Sequence, residues 1–416
     1  MFCFQRALLS KRSRLYGGLL FIALAGLLAA SVPLRAPSAE PATASAKPAG
    51  KTKGFVFSYF WYAMAYGADD CPDGLAISLA GGVDRPPPYN AGRKAALQGR
   101  GGIRPDGIDD QCTNPAAFED PPMRTGNGHS AYGMNLDGAD GMGTPAPNTC
   151  AHEKYTGMKG EHGVDNQLYR ILGCINAYRP ESTFQGNVIR DFVVSARQDG
   201  QVTTVLEITG IDDEQNDPDV EVGIYSSPNP TLYDADRKGV PYSSLTTTTN
   251  PRWRNVTHGK IVNGVLTTDP IDIRLDHYPG EGLKNHADMF IRGARIRLEL
   301  QPDGGANGML AGYSDVETVY HAEFGMAYSV LPKSFGWTCP AAYTALHKLA
   351  DGYPDPKTGQ CTAISTAYRI EAVPAFLIHP QKSQTPDAKL SNVGQPAMPV
   401  QLAEGPAAGW LRKLGW

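Results

Sequence analysis

The sequence predicts a mainly β protein, an antiparallel β-sandwich of jelly-roll type. It would carry a disulfide-stapled, loop-rich N-terminal region and one or two short helices. Three observations predict it. From residue 186 onward, apolar and polar residues alternate in segment after segment, separated by turn residues. The alternating strand-and-helix rhythm of a parallel sheet is missing. Residues 67–179 are instead dense in Gly, Pro, Asp and Asn and hold four of the six cysteines that follow the leader.

The first 39 residues read as a leader. Arg6, Lys11, Arg12 and Arg14 precede an uncharged, mostly apolar run at 15–34, and small residues follow at Ala36, Ser38 and Ala39. That is the layout of a cleaved secretory signal. The run is also long enough to span a bilayer, so an uncleaved N-terminal anchor is the alternative. Either reading places the rest of the chain outside the cytoplasm, in the periplasm or beyond the cell. Residues 40–54, rich in Ala, Pro and Lys, read as a flexible linker.

"FVFSYFWYAMAY" at 55–66 reads as a buried aromatic strand. The loop-rich region, 55–180 with that strand, then contains one short helix at 165–176, which Asp165 would cap and whose Leu168, Ile171, Leu172 and Ile175 share a face. The sandwich spans 181–378. Its strands include "NVIRDFVVSARQDG" and "QVTTVLEITGI" about a turn at Asp199-Gly200, then "DVEVGIYSS". A hairpin turning at Asn263-Gly264 comes next, followed by "ADMFIRGARIRLELQPDGG" and "SDVETVYHAEFGMAYSV". A helix at 339–352, closed by Gly352, and a segment clipped back by Cys361 complete it. Residues 379–416 are a Pro-, Gln- and Ala-rich tail.

Charge bounds the partners. The leader holds five of the 38 basic residues and none of the 42 acidic ones, so the remainder carries 33 − 42 = −9. It has no basic run and no basic-aromatic alternation, which argues against nucleic acid. Membrane contact is expected only through an uncleaved leader.

Cys71, Cys112, Cys150, Cys174, Cys339 and Cys361 form an even set expected to be paired. The local pairing is Cys71–Cys112, Cys150–Cys174 and Cys339–Cys361, which closes the shortest loops. Metal-thiolate and c-haem spacings are absent.

A phrase recurs in the loop region. "DGIDDQC" at 106–112 and "HGVDNQL" at 162–168 share Gly, a branched apolar residue, Asp, Asp or Asn, and Gln. With "NLDGADG" they gather hard oxygens on a glycine-bent chain, which is what Ca2+ requires. The expected ligands are Asp106, Asp109, Asp110, Asp137, Asp140, Asp165 and Asn166. The plainer alternative is turn chemistry, in which Asp and Asn bond their own backbone; no EF-hand spacing occurs. The acidic turn at 212–221 poses the same choice. His129, His152 and His162 lack any metal-motif spacing and read as surface or hydrogen-bonding side chains.

No GxSxG elbow is present. "GNGHSA" at 126–131 lacks the preceding strand that a dinucleotide loop needs. Tyr59, Trp61, Tyr62 and Tyr66 read as core, with sugar stacking the alternative. "NVT" at 255–257 is a formal glycosylation sequon.

Together these features describe an exported binding or structural protein braced by Ca2+, with a glycan or another envelope component as ligand. The alternative is a secreted glycoside hydrolase that uses paired loop carboxylates.

Overall fold

The computed structural model describes residues 50–67, 69–75, 110–118, 122–141, 146–179, 202–277, 287–324 and 337–380. The leader, the first part of the linker, the strand expected at 187–200 with its Asp199-Gly200 turn, and the tail beyond 380 lie outside them.

The strands, in chain order, are β1 (Lys51–Tyr62), β2 (Ser130–Ala131), β3 (Thr156–Gly157), β4 (Thr203–Ile211), β5 (Asn216–Ser227), β6 (Ser243–Thr246) and β7 (Arg254–Val262). There follow β8 (Val265–Thr268), β9 (Ile271–His277), β10 (Ala287–Leu300), β11 (Ala306–Asp315), β12 (Gly352–Pro354) and β13 (Cys361–Ile378). Among the described residues four short α-helices accompany them: α1 (Asp110–Thr113), α2 (Gln167–Leu172), α3 (Val316–Val319) and α4 (Cys339–Leu349).

The mainly β, antiparallel expectation holds, but the sandwich does not. One sheet runs β1-β4-β5-β7-β8-β10-β11-β13, and β13 pairs back onto β1, so it closes as an eight-stranded up-and-down barrel. All eight pairings are antiparallel. Period-2 alternation only demands that one face be buried, and closure buries it as well as stacking two sheets does. Eight strands leave an interior that side chains can fill. Phe55, Phe57, Leu206, Ile208, Val222, Ile224, Ile261, Leu266, Ile296, Leu298, Leu310 and Ile370 fill it. On β10 the alternates Arg295, Arg297 and Glu299 are polar, the inverse of a lipid-facing barrel wall. Among the described residues no helix is long and apolar enough to cross a membrane.

One boundary moves. β1 begins at Lys51, so residues 51–54 belong to the barrel rather than to the linker. Lys53 is held there by Glu214 at 2.7 Å. The Asn263-Gly264 turn is as expected, with both residues at positive φ (51° and 75°), as a two-residue link that matches the right-handed twist of its strands requires. The sequon asparagine Asn255 is buried, and its side-chain nitrogen donates to the carbonyls of Ile224 and Arg274.

The disulfides overturn the local pairing. They are Cys71–Cys174, Cys112–Cys339 and Cys150–Cys361, spanning 103, 227 and 211 residues. Loop-closure entropy grows only with the logarithm of length. Preferring a tenfold shorter loop gains about 2 kcal/mol, which packing easily outweighs. Cys112–Cys339 ties α1 to α4, and Cys150–Cys361 ties the loop region to the start of β13. Three such bonds mark a chain that matures in an oxidising compartment.

Candidate functional site

The loop region lies against the β11–β13 wall. On that wall Ala311, Tyr313, Ala363 and Ala367 form a second, smaller cluster with Ala63 and Leu136. Arg295 on β10 reaches across and donates to the carbonyls of Asn135 (3.1 Å) and Leu136 (2.9 Å). The segment after Leu136 is thereby pinned, and Asp137 with it.

A second segment, 150–157, runs alongside. Alternation places His152 and Lys154 on the same side. Tyr155 pairs with Val164, and Met134 with Asp165, through isolated β-bridges. The chain between them turns at Gly163, whose φ is +71°; a Cβ there would lie 2.3 Å from the Ala139 carbonyl oxygen. The glycine of the repeated phrase is therefore required by backbone crowding as well as by its left-handed φ.

Five charged or chargeable side chains meet at this junction. Lys154 Nζ lies 2.7 Å from Asp137 Oδ1 and 2.5 Å from Asp165 Oδ1. His152 Nε2 lies 2.7 Å from the same Asp165 oxygen and 3.4 Å from Asp351 Oδ2. Asp165 Oδ2 accepts from the Leu136 N–H at 2.8 Å. Asp351 Oδ1 accepts from the Ser365 N–H at 2.6 Å. None of the five side chains is more than 8% exposed. Two polar atoms in this neighbourhood make no hydrogen bond, Asp351 Oδ2 and the Tyr313 hydroxyl.

The electrostatics follow from burial. Burial raises Asp351 to about 6, against the pull of His152 and the Ser365 hydrogen bonds. Burial alone would lower His152; the hydrogen bond to Asp165 and the charge of Asp351 outweigh it and hold the imidazole above its ordinary value. Burial would raise Asp137, but Lys154 and the Ala139 N–H bring it below the usual carboxylate range. Burial, with the charges of Asp165, Asp351 and Asp137 beside it, holds the Tyr313 phenol well above its normal value.

The structure thus brings together only part of the expected calcium set. Asp137 and Asp165 converge, but on an ammonium group. Asp140 is exposed and accepts from Asn135 Nδ2 at 3.3 Å. Asn166 turns away and donates to the carbonyls of Ala63 and Tyr132. Asp106, Asp109 and the side chain of Asp110 lie outside the described residues. Asp137, His152 and Asp165 do offer one ligand atom each within 4.8 Å of one another. The described donors nevertheless do not form the six-to-eight-oxygen shell that Ca2+ takes, and Lys154 already supplies the positive charge.

Asp165 is also not the helix cap. α2 starts at Gln167 behind Asn166, with no side-chain cap bond, and it ends at Leu172. Its apolar residues Leu168, Ile171 and Leu172 are fully buried as expected. Likewise α4 stops at Leu349, and Gly352 belongs to β12. That early stop frees Asp351 to turn into the cluster.

His152, Lys154 and Asp351 escape the sequence reading. The available signal was "HEK", which sets a histidine and a lysine two residues apart beside Cys150. Asp351 gives none, because only the fold brings β12 next to the loop. His129 and His162 are exposed, as expected of surface histidines.

A second acidic position sits at the end of β1. Glu323 accepts from the hydroxyls of Tyr62 (2.8 Å) and Tyr178 (2.9 Å), and burial raises its pKa. Trp61 and Tyr62 are core residues, stacked with Tyr178 and Tyr368 respectively. The acidic turn at 212–221 satisfies itself: the buried Asp217 accepts from the N–H groups of Asp212 and Asp219. No family model, curated protein or solved structure matches the chain.

Proposed function

We propose that the chain is an exported protein of the periplasm or cell exterior with a binding or structural role, anchored through residues 15–34 if that run is retained. Its ligand is a glycan or another envelope component. Three long-range disulfides support the export reading, since they are kept only where thiols are oxidised. A pair of exposed aromatics supports the ligand class. Tyr242 and Phe376 are 59% and 60% exposed, with ring centroids 6.1 Å apart where β13 continues past the barrel beside β6. Two such rings on a sheet suit stacking against sugar faces.

The hydrolase reading draws less support from the loop carboxylates that converge. Asp137 and Asp165 share one ammonium inside the protein rather than facing each other across a solvent-filled cleft, as glycoside hydrolysis needs.

The test is co-sedimentation of the purified protein with insoluble cell-wall polysaccharide. Retention that falls at least tenfold in a Tyr242→Ala/Phe376→Ala double variant supports the proposal. Retention unchanged in that variant, or no retention at all, overturns the assignment of this surface.

A further inference from the structure

The geometry points to a covalent cross-link: an amide bond between Lys154 Nζ and Asp165 Cγ, formed by the folded chain itself. Every group such a condensation needs is in place and shielded from water. The nucleophile is Lys154 Nζ, 2.5 Å from Asp165 Oδ1. Asp137 Oδ1, 2.7 Å from the same nitrogen, is the base that receives its proton. The Leu136 N–H, 2.8 Å from Asp165 Oδ2, meets the charge that develops on the oxygen that stays, as an oxyanion-hole donor does. His152 Nε2, 2.7 Å from Oδ1, delivers a proton to the oxygen that leaves. The Cys150 carbonyl, which accepts from His152 Nδ1 at 2.8 Å, orients the imidazole, and Asp351 Oδ2 lies 3.4 Å from Nε2.

The bookkeeping closes without a co-reactant. The ammonium nitrogen bonds to Cγ, and the Cγ–Oδ1 bond breaks. Nitrogen gives up two protons and Oδ1 departs with two, as one water. His152 and Asp137 return to their starting protonation states. No electron changes hands. The unpartnered Asp351 Oδ2 and Tyr313 hydroxyl offer hydrogen bonds to the released water. Two effects favour the forward direction: a buried ion pair becomes a neutral amide, relieving desolvated charge, and the reactants are already held together. Asp165 is the acceptor rather than Asp137, because only Asp165 has one donor on each oxygen, with His152 on the one that leaves.

Peptide mass mapping of the purified wild-type chain decides the matter. Trypsin cuts after Lys159 but not after an acylated Lys154. The expected product after reduction is residues 125–159 joined to residues 160–170, lighter than their sum by one water. Lys154→Arg keeps the charge but removes the amine; trypsin then also cuts after residue 154, and residues 125–154, 155–159 and 160–170 should appear separately at full mass. The same three peptides at full mass from the wild type overturn the proposal. So does a water loss confined to residues 125–159, where Asp137-Gly138 and Asp140-Gly141 can dehydrate on their own, or one that persists in Lys154→Arg.

Discussion

Lys154 and Asp165 are eleven residues apart in the chain, and their Nζ and Oδ1 atoms lie 2.5 Å apart in a site from which water is excluded. The contact closes the turn that carries the second copy of the repeated phrase. It also fixes where Asp137 and His152 must sit, since each touches one of the two partners, and Asp351 follows through His152.

Removing the lysine should be costly. Lys154→Met leaves Asp137 and Asp165 facing each other with neither the ammonium nor the cross-link between them. Breaking a buried pair in this way costs about 3–5 kcal/mol. Chemical denaturation is expected to show a loss of that size. A loss below about 1 kcal/mol would mean that the two carboxylates are solvated or protonated in the folded protein.

The cluster should make stability fall as pH rises. Asp351 has its folded pKa raised from 3.8 to about 6, so the folded state holds this proton more tightly than the unfolded chain. The resulting stabilisation is full below about pH 4 and is lost as pH rises through about 6, an effect of about 3 kcal/mol. His152, raised above 6.5, acts in the same direction: its contribution is present below 6.5 and lost as pH passes the folded value. Because other carboxylates oppose this at low pH, the quantity to measure is the difference between wild type and Asp351→Asn. Asparagine should gain on the wild type between about pH 4 and 7 (about 3 kcal/mol at most). A difference that stays flat with pH would contradict the assignment.

Chelation should leave the thermal midpoint unmoved, because Lys154, as the ammonium or as the cross-link, occupies the place between Asp137 and Asp165 where a metal would sit. A fall of several degrees in EDTA at constant ionic strength would show that an ion braces the loops after all.

Gly163→Ala should destabilise the fold by about 1–3 kcal/mol, the cost of a non-glycine residue in a disfavoured backbone conformation. The Ala139 oxygen stands where the new methyl group would go. Gly138, also at positive φ (79°) but with nothing within 4 Å of its would-be Cβ, is the control and should cost less.

The two copies of the phrase also explain themselves in part. Each leads into a short helix: α1 begins at Asp110, and α2 begins at Gln167. The position before a short helix is what the two copies share, although neither Asp165 nor Asn166 makes a side-chain cap bond to α2. The charge cluster accounts for why, in the second copy, the Asp is buried rather than left on the surface as a cap.

The sequence by itself determined the mainly β class, the hairpin at Asn263-Gly264, the buried face of α2 and the aromatic core of β1. Each of these rests on periodicity or turn chemistry within a dozen residues, and local patterns are written locally. It also marked Asp137 and Asp165 as residues worth explaining. Only the tertiary structure decided that the sheet closes on itself, that Cys112 meets Cys339, and that Asp351 joins His152. Those choices join residues 199 to 319 positions apart in the chain. They are settled by which apolar faces pack together, and loop-closure entropy penalises distance too weakly for spacing to foretell them. The same reason hid the lysine: a cation among carboxylates is ordinary in a sequence, and it acquires a role only when the fold removes the water from around it.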